Sequence, residues 1–248
     1  MENQYNKNNI GLFFLGLTLA LGMIFGSYFI SSALLKIKLN NGTITVKGCA
    51  EKKITSDFVK WECVLNITQN NLKDAYAKLE SDRERLVAYL QNAGIRKEDI
   101  HFTPVSMSTI YKLNEQGLQT NTVEGYILSQ DFSMGSQEVT KISKIASEIT
   151  ELLQEDVHVI SFRPQYYYLN LDALKISMLG EAAKDAKNRA EKLANNSGSK
   201  VGILRSAQQG VFQITPAYSN SCSDYGECDT TSIDKTIKAI VTMEYNIE

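Results

Sequence analysis

An α+β domain of antiparallel strand pairs alternating with three helices, carried behind one N-terminal transmembrane helix, is the fold class this chain predicts. Three observations point to it. A strongly apolar run without a charge, Asn8 to Leu35, opens the chain between Lys7 and Lys36. Later segments alternate with a two-residue period, as in Val59, Trp61, Cys63, Leu65 and Ile67 against Lys60, Glu62, Asn66 and Thr68, which marks a strand with one buried face. Between such segments lie three stretches whose apolar residues recur with a helical period.

Residues 1–9 read as a short tail and residues 10–35 as a membrane anchor, because the run exceeds the roughly 20 residues a helix needs to cross about 30 Å of hydrocarbon. A cleaved signal peptide is the competing reading. Its apolar stretch is usually only about 7 to 15 residues and ends at small residues, of which Ser31-Ser32-Ala33 is a poor version. The flanking charges, Glu2 and Lys7 before the span and Lys36 and Lys38 after it, set only a weak and opposed orientation bias; the short tail is placed inside. Within the span, Gly22 and Gly26 form a small-xxx-small pair that lets two helix backbones approach, a candidate transmembrane helix contact. Glycine is equally common in helices that face lipid.

Residues 36–42 are a linker, and residues 43–248 form the folded domain. Thr43 to Lys52 is β-rich, and Thr55-Ser56-Asp57 turns the chain into the alternating strand that starts at Val59. Asn71, followed by Asp74, resembles a helix start. Leu72, Ala75, Tyr76, Leu79, Leu86 and Leu90 then keep a helical stripe until Gly94. Ile100 to Lys112 and Val123 to Ser133 read as a long hairpin with Gly117 in its loop. Ser136 is placed as the cap of a second helix bearing Val139, Ile142, Ile145, Ala146, Ile149, Leu152 and Leu153. Val157 to Leu169 returns as a strand in which Tyr166 and Tyr168 share a face, for packing or for subunit contact. Asp172 to Ser197 carries the strongest helical signal, with Ala182, Ala186, Ala190 and Ala194 in register. Val201 to Gln209 is a strand, Gly210 to Ser232 a loop, and Ile237 to Ile247 a closing strand.

Composition narrows the partners. With 26 basic and 28 acidic residues the net charge is −2, and no basic block exists to track a phosphate backbone, so nucleic acid is excluded as a partner. The chain has 4 cysteines, too few for a disulfide scaffold. Cys49 and Cys63 sit in apolar strands as buried hydrophobes. Cys222 and Cys228 bracket a polar loop and, outside the cytoplasm, would close it as a disulfide that contributes roughly 2 kcal/mol. Free thiols are a second reading of that pair. A metal site with Asp224, Glu227 or Asp229 is a third, but paired Cys-x-x-Cys or histidine knuckles are lacking, so no metal and no cofactor is expected.

Nothing in the sequence assembles a catalytic constellation. His101 and His158 are the only histidines, and each lies in a strand. Ser197-Gly-Ser-Lys200 spells the Ser-x-x-Lys spacing of some serine acyl enzymes, yet it falls where a helix stop explains it without chemistry. A non-enzymatic protein is therefore the expectation, with an envelope hydrolase of Ser-Lys type and a redox module using Cys222 and Cys228 as alternatives.

Val46-Lys-Gly48-Cys-Ala50, with Ser56-Asp57 after it, resembles the Val-x-Gly-x-Gly/Ala opening and Pro-Asp turn of the SIMPL-domain (YggE-like) family. Ser56 replaces the usual proline. Gly94-Ile95 with Asp99-Ile100, the alanine-rich helix from Ala182 to Ala194, and Gly198-x-x-Val201-Gly202 extend the resemblance over residues 43–248. It implies an α+β domain of the bacterial envelope, membrane-tethered and extracytoplasmic, linked to envelope integrity and stress, with homo-oligomeric assembly. It brings no catalytic residues.

Overall fold

The computed structural model describes residues 2–39, 42–219 and 225–248. An N-terminal helix, α1 (Glu2–Leu39), is followed by α+β structure with three further helices and mostly antiparallel strands. In α1 the segment Phe13–Leu34 is 22 residues long with a mean hydropathy of 2.0, enough to cross a membrane. Three of its hydroxyls, those of Thr18, Ser27 and Ser32, bond to carbonyls of the helix itself. Thr18 donates to the Leu15 carbonyl at 3.0 Å and Ser27 to that of Met23 at 2.6 Å, the back-bonding that lets a helix carry hydroxyls on an apolar surface.

The chain forms two compact units. One comprises Met1–Ala50, Leu179–Gly210 and Ile240–Glu248; the other comprises Glu51–Met178 and Val211–Ala239. Three elements are divided between them: β1 (Thr43–Thr55), the third of the following helices (Leu171–Asn196), and the last strand (Asp234–Ile247).

The larger unit is built on β2 (Phe58–Gln69), whose inward residues Val59, Trp61, Cys63, Leu65 and Ile67 are at most 1% exposed. That alternation is what the sequence predicts. The helix α2 (Leu72–Asn92) covers them; Asn71 caps it by accepting from the Lys73 amide at 2.8 Å, and Gly94 ends it at φ +80, a left-handed position that glycine takes without strain. Next come β3 (His101–Phe102), β4 (Ser106–Leu113) and β5 (Gln119–Ser136). The predicted strand over Ile100 to Lys112 is thus two strands. Pro104 has no amide to give a ladder, and it sits at the break. Gly117, at φ +76, turns the β4–β5 hairpin, where the Asn114 carboxamide accepts from the amides of Gln116 and Leu118.

α3 (Val139–Glu148) continues as a 3-10 segment, Ile149–Glu155. Ser136 does not cap it. β5 runs through Ser136, whose hydroxyl accepts from the Glu138 amide at 3.0 Å, and Glu138 stands at the helix start with no side-chain cap. Asp156, at φ 61, ends the 3-10 turn. The strand predicted over Val157 to Leu169 is likewise split, into β6 (Val159–Ser161) and β7 (Gln165–Tyr167), with Pro164 between them. The resulting sheet has six strands, with β5 paired along the whole of β2 from Val59↔Ser136 to Gln69↔Tyr126. β3 and β4 lie outside β5, and β6 and β7 outside β2. Helices cover one face of this sheet: Leu86, Leu90, Ile142 and Ile149 are fully buried in the core beneath it.

The helix Leu171–Asn196 is α4 and β8 is Val201–Gln209, both close to expectation. The segment expected to be a loop carries two short strands, β9 (Gln213–Pro216) and β10 (Glu227–Cys228), which pair in parallel. β9 also pairs with the first residues of β11 (Asp234–Ile247), from Lys235↔Pro216 to Lys238↔Gln213. In the smaller unit, the end of β11 pairs antiparallel with β8 from Val241↔Gln209 to Ile247↔Val201, and α4 buries Ala182, Ala186, Ala190 and Ala194.

Candidate functional site

Gly48 marks a close approach of strand and helix in the smaller unit. Val46, Gly48 and Ala50 alternate inward along β1 and are buried. A Cβ built on Gly48 would stand 2.7 Å from the Ala186 Cβ and 2.5 Å from its amide nitrogen, and would overlap the Ala182 carbonyl oxygen. Space, rather than backbone freedom, therefore requires glycine here. Beside this contact the Asp185 carboxylate accepts from the Cys49 amide at 2.9 Å and from Arg189 at 2.7 Å. The Cys49 amide, then Arg189, hold its carboxyl below the usual carboxylate range despite the cost of desolvation. Helix and strand are thereby pinned by a charge-assisted bond next to the close contact at Gly48.

Among the described residues, the larger unit buries two charges, Asp82 and Lys235. Asp82, on the inward stripe of α2, is fully buried and meets Lys78 Nζ at 3.0 Å. Lys78 also reaches the Asp156 carboxylate at 2.8 Å and its carbonyl at 2.6 Å, while Arg85 donates to the Glu155 carbonyl at 2.7 Å. Burial opposes the Lys78 charge, but its hydrogen bond to Asp156 and its ion pair with Asp82 outweigh this and raise its pKa, and the bond to Lys78 lowers that of Asp156. The arrangement ties α2 to the left-handed turn at Asp156. The second charge is Lys235, 3% exposed, which donates to the carbonyls of Tyr166 at 2.5 Å and Asp229 at 2.6 Å. Burial lowers its pKa, and the Asp229 carboxylate partly restores it. An ammonium that donates to two backbone carbonyls acts as a clamp between their segments.

Three concavities lie on the larger unit. One of about 500 Å³ is lined by Arg96, Asp99, Glu138 and Lys141, and its charges are already matched, Arg96 to Asp99 at 2.9 Å and Lys141 to Glu138 at 2.9 Å. The others lie on the sheet face opposite the helices, either side of Phe162. One, about 240 Å³, is lined by Lys60, Glu62, Arg163 and Gln165; the other, about 300 Å³, by Glu62, Thr103, Asp131 and Ser133.

The residues singled out from sequence are placed apart. Tyr166 is 9% exposed, packs into the core of the larger unit, and its hydroxyl lies 2.9 Å from that of Ser143. Tyr168 is half-buried just past β7. Gly22 and Gly26 lie on α1, and a Cβ on either would meet nothing within 4 Å in this chain. Cys228 is exposed in β10, and Cys222, with the disulfide expected between them, lies outside the described residues. Ser197 donates its hydroxyl to the carbonyls of Leu193 at 3.0 Å and Ala194 at 2.9 Å, and Lys200 is bound through its backbone to Glu248. His158 is half-exposed, 3.8 Å from Asp156. Cys63 is buried as expected, and burial pushes its thiol up to about 12, which makes it inert. Cys49 is only half-buried. Among the described residues no group of three or more His, Cys, Asp or Glu is placed to hold a metal.

Two features escaped the sequence reading although a signal was there. Asp82 interrupts the apolar stripe of Ala75, Leu79, Leu86 and Leu90, and Lys235 falls in phase with the inward residues Ile237 and Ala239. A charge on a buried stripe demands a partner.

No curated protein matches the chain. Among solved structures, an uncharacterized conserved protein from Listeria innocua aligns at 11% identity over 77% of this chain and 91% of its own, with a TM-score of 0.22. A hydrolase from the same organism aligns at 10% identity, with the same coverages and a TM-score of 0.19. A protein of methicillin-resistant Staphylococcus aureus assigned as an aminohydrolase aligns at 12% identity over 58% of this chain, with a TM-score of 0.23; this chain spans only 38% of its length. Superpositions this loose establish neither a shared fold nor a shared activity. The family comparison is of another kind: residues 44–245 match the SIMPL family, described as a protein of unknown function (DUF541), so the match takes in Gly48, Asp185, Lys78 and Lys235 alike. The chain belongs to the SIMPL family.

Proposed function

We propose that this chain is a non-enzymatic, membrane-tethered SIMPL domain of the bacterial envelope, extracytoplasmic and single-pass, that self-associates and supports envelope integrity or stress tolerance. The observation that carries the reading is the β4–β5 hairpin. Its outer strand β4 is paired on one side by β5, and Met107, Tyr111, Leu113, Leu118 and Val123 on the hairpin are all more than a third exposed. An open strand edge flanked by apolar side chains is a surface that favours association. Gly22 and Gly26 on α1 supply a second surface suited to close helix approach. The Ser197 hydroxyl bonds back to two carbonyls of its own helix, which supports a helix-end role for it over the Ser-Lys alternative.

The test is the light-scattering mass of the full chain in detergent micelles, corrected for bound detergent. A defined multiple of 27.7 kDa is expected, reduced by Met107→Lys with Tyr111→Lys on the hairpin. A monomer at all concentrations refutes self-association. Unchanged envelope sensitivity of cells carrying the Cys222→Ser, Cys228→Ser double variant under oxidant removes the redox alternative.

A further inference from the structure

The strand edge beside β2 is interrupted. β6 pairs with Cys63 to Leu65 and β7 with Phe58 to Lys60, and between them Phe162, Arg163 and Pro164 leave the ladder. Only the Phe162 amide keeps the register, donating to the Glu62 carbonyl at 3.0 Å. The residue before it points inward: the Ser161 hydroxyl accepts from the Trp61 indole at 3.1 Å. Phe162 therefore stands on the opposite, helix-free face of the sheet, 51% exposed, with a cavity on each side.

The two cavities differ in charge. In the first, Lys60 is held by Glu62 at 2.7 Å, which leaves the Arg163 guanidinium without an ion partner among the described residues. In the second, the Asp131 carboxylate has no ion partner among the described residues, and Thr103 and Ser133 line the same cavity. A guanidinium selects a carboxylate, a carboxylate selects an ammonium, and a half-exposed aromatic ring between them covers an apolar side chain. We propose that the Phe162 ridge is a binding site for a small zwitterionic peptide, whose carboxylate is taken by Arg163, whose ammonium is taken by Asp131 and whose apolar side chain lies against Phe162. Cavities of about 240 and 300 Å³ suit two residues of peptide rather than a protein segment. This site is independent of the hairpin and of self-association.

Trp61 is the chain's single tryptophan and lies on the strand beneath the ridge, so its fluorescence reports the site. The full chain in detergent is titrated with leucylglycine, with N-acetylleucine, which lacks the ammonium, and with leucinamide, which lacks the carboxylate. The dipeptide is expected to bind at least tenfold more tightly than either half-probe. Arg163→Gln should abolish its advantage over leucinamide, and Asp131→Asn its advantage over N-acetylleucine. No saturable change with the dipeptide, equal affinity for all three probes, or an unaltered preference in both variants overturns the proposal. The comparison of probes on the unaltered chain decides the matter even where a variant fails to fold.

Discussion

Replacing Gly48 by alanine adds one methyl group at a close strand–helix contact of the smaller unit. That methyl would lie 2.7 Å from the Ala186 Cβ, whereas carbon atoms in good contact are about 3.5–4.0 Å apart, so β1 and α4 must separate by roughly 1 Å. Two of the three clashing atoms, the Ala182 carbonyl oxygen and the Ala186 amide nitrogen, are backbone and cannot rotate away. Overpacking typically costs about 1–3 kcal/mol, and a rigid backbone clash places this substitution near the upper end, about 3 kcal/mol. Separation also lengthens the Asp185 bond to the Cys49 amide, 2.9 Å in the native contact. The sign is diagnostic. Gly48 has no left-handed φ, so in open space alanine would fit the strand and stabilise by roughly 0.4–1 kcal/mol through the unfolded chain. Guanidinium titration followed by far-UV circular dichroism, on the full chain in micelles, measures the difference. Ala186→Gly in the same chain should recover only part of the loss, because the two backbone clashes remain. A neutral or stabilising Gly48→Ala would refute the reasoning.

Lys78→Met should destabilise the larger unit by about 2–3 kcal/mol, less than for a fully buried pair because Lys78 keeps some solvent contact; Asp82 would be left as a buried charge without its counterion, and Asp82→Leu in the same chain should restore most of the loss in urea titrations. If Lys78→Met alone is neutral, the ion pair is not what makes the burial of Asp82 tolerable. The depressed carboxyls of Asp156 and Asp185 give a pH dependence of fixed sign: the unfolded chain binds protons near pH 4 that the folded chain does not, so stability is full above that range and falls as pH drops through the lower folded values. Urea midpoints at pH 7 and pH 3 should converge in Asp156→Asn relative to the native chain, and an unchanged gap would deny Asp156 its share. Gly180→Ala should stabilise α4 by about 1 kcal/mol, since a Cβ there meets nothing within 4 Å and glycine is a poor interior helix residue. A loss of stability on thermal melting would mean that something else packs against that side of the helix.

Which elements exist was legible from periodicity, because periodicity records which face of a segment meets the core. β2, α2, α4 and β8 therefore stand nearly where the sequence places them. The apolar helix α1 is legible from composition, since a segment long and apolar enough to cross a bilayer is a run without charges. Strand continuity was less secure. Pro104 and Pro164 break two predicted strands because a proline gives no amide to the ladder, a local cue that the alternating pattern around it concealed. β9 and β10 were invisible as strands: each is short, and they depend on each other and on β11 rather than on their own pattern.

The site residues divide along the same line. The sequence by itself determined the family-like opening Val46-x-Gly48-x-Ala50, the cysteine positions, the lack of a catalytic motif and the spacing of Ser197 and Lys200. Tertiary structure alone decided that Gly48 is glycine for want of space against α4, that Tyr166 serves the core, and that Ser197 is spent on its own helix. It also decided that Asp82 and Lys235 are buried with partners, and that Arg163 and Asp131 flank one exposed ring. The reason is physical: a periodic pattern is set within one segment, whereas the partner of a charge and the room beside a glycine are set by segments far away in the chain.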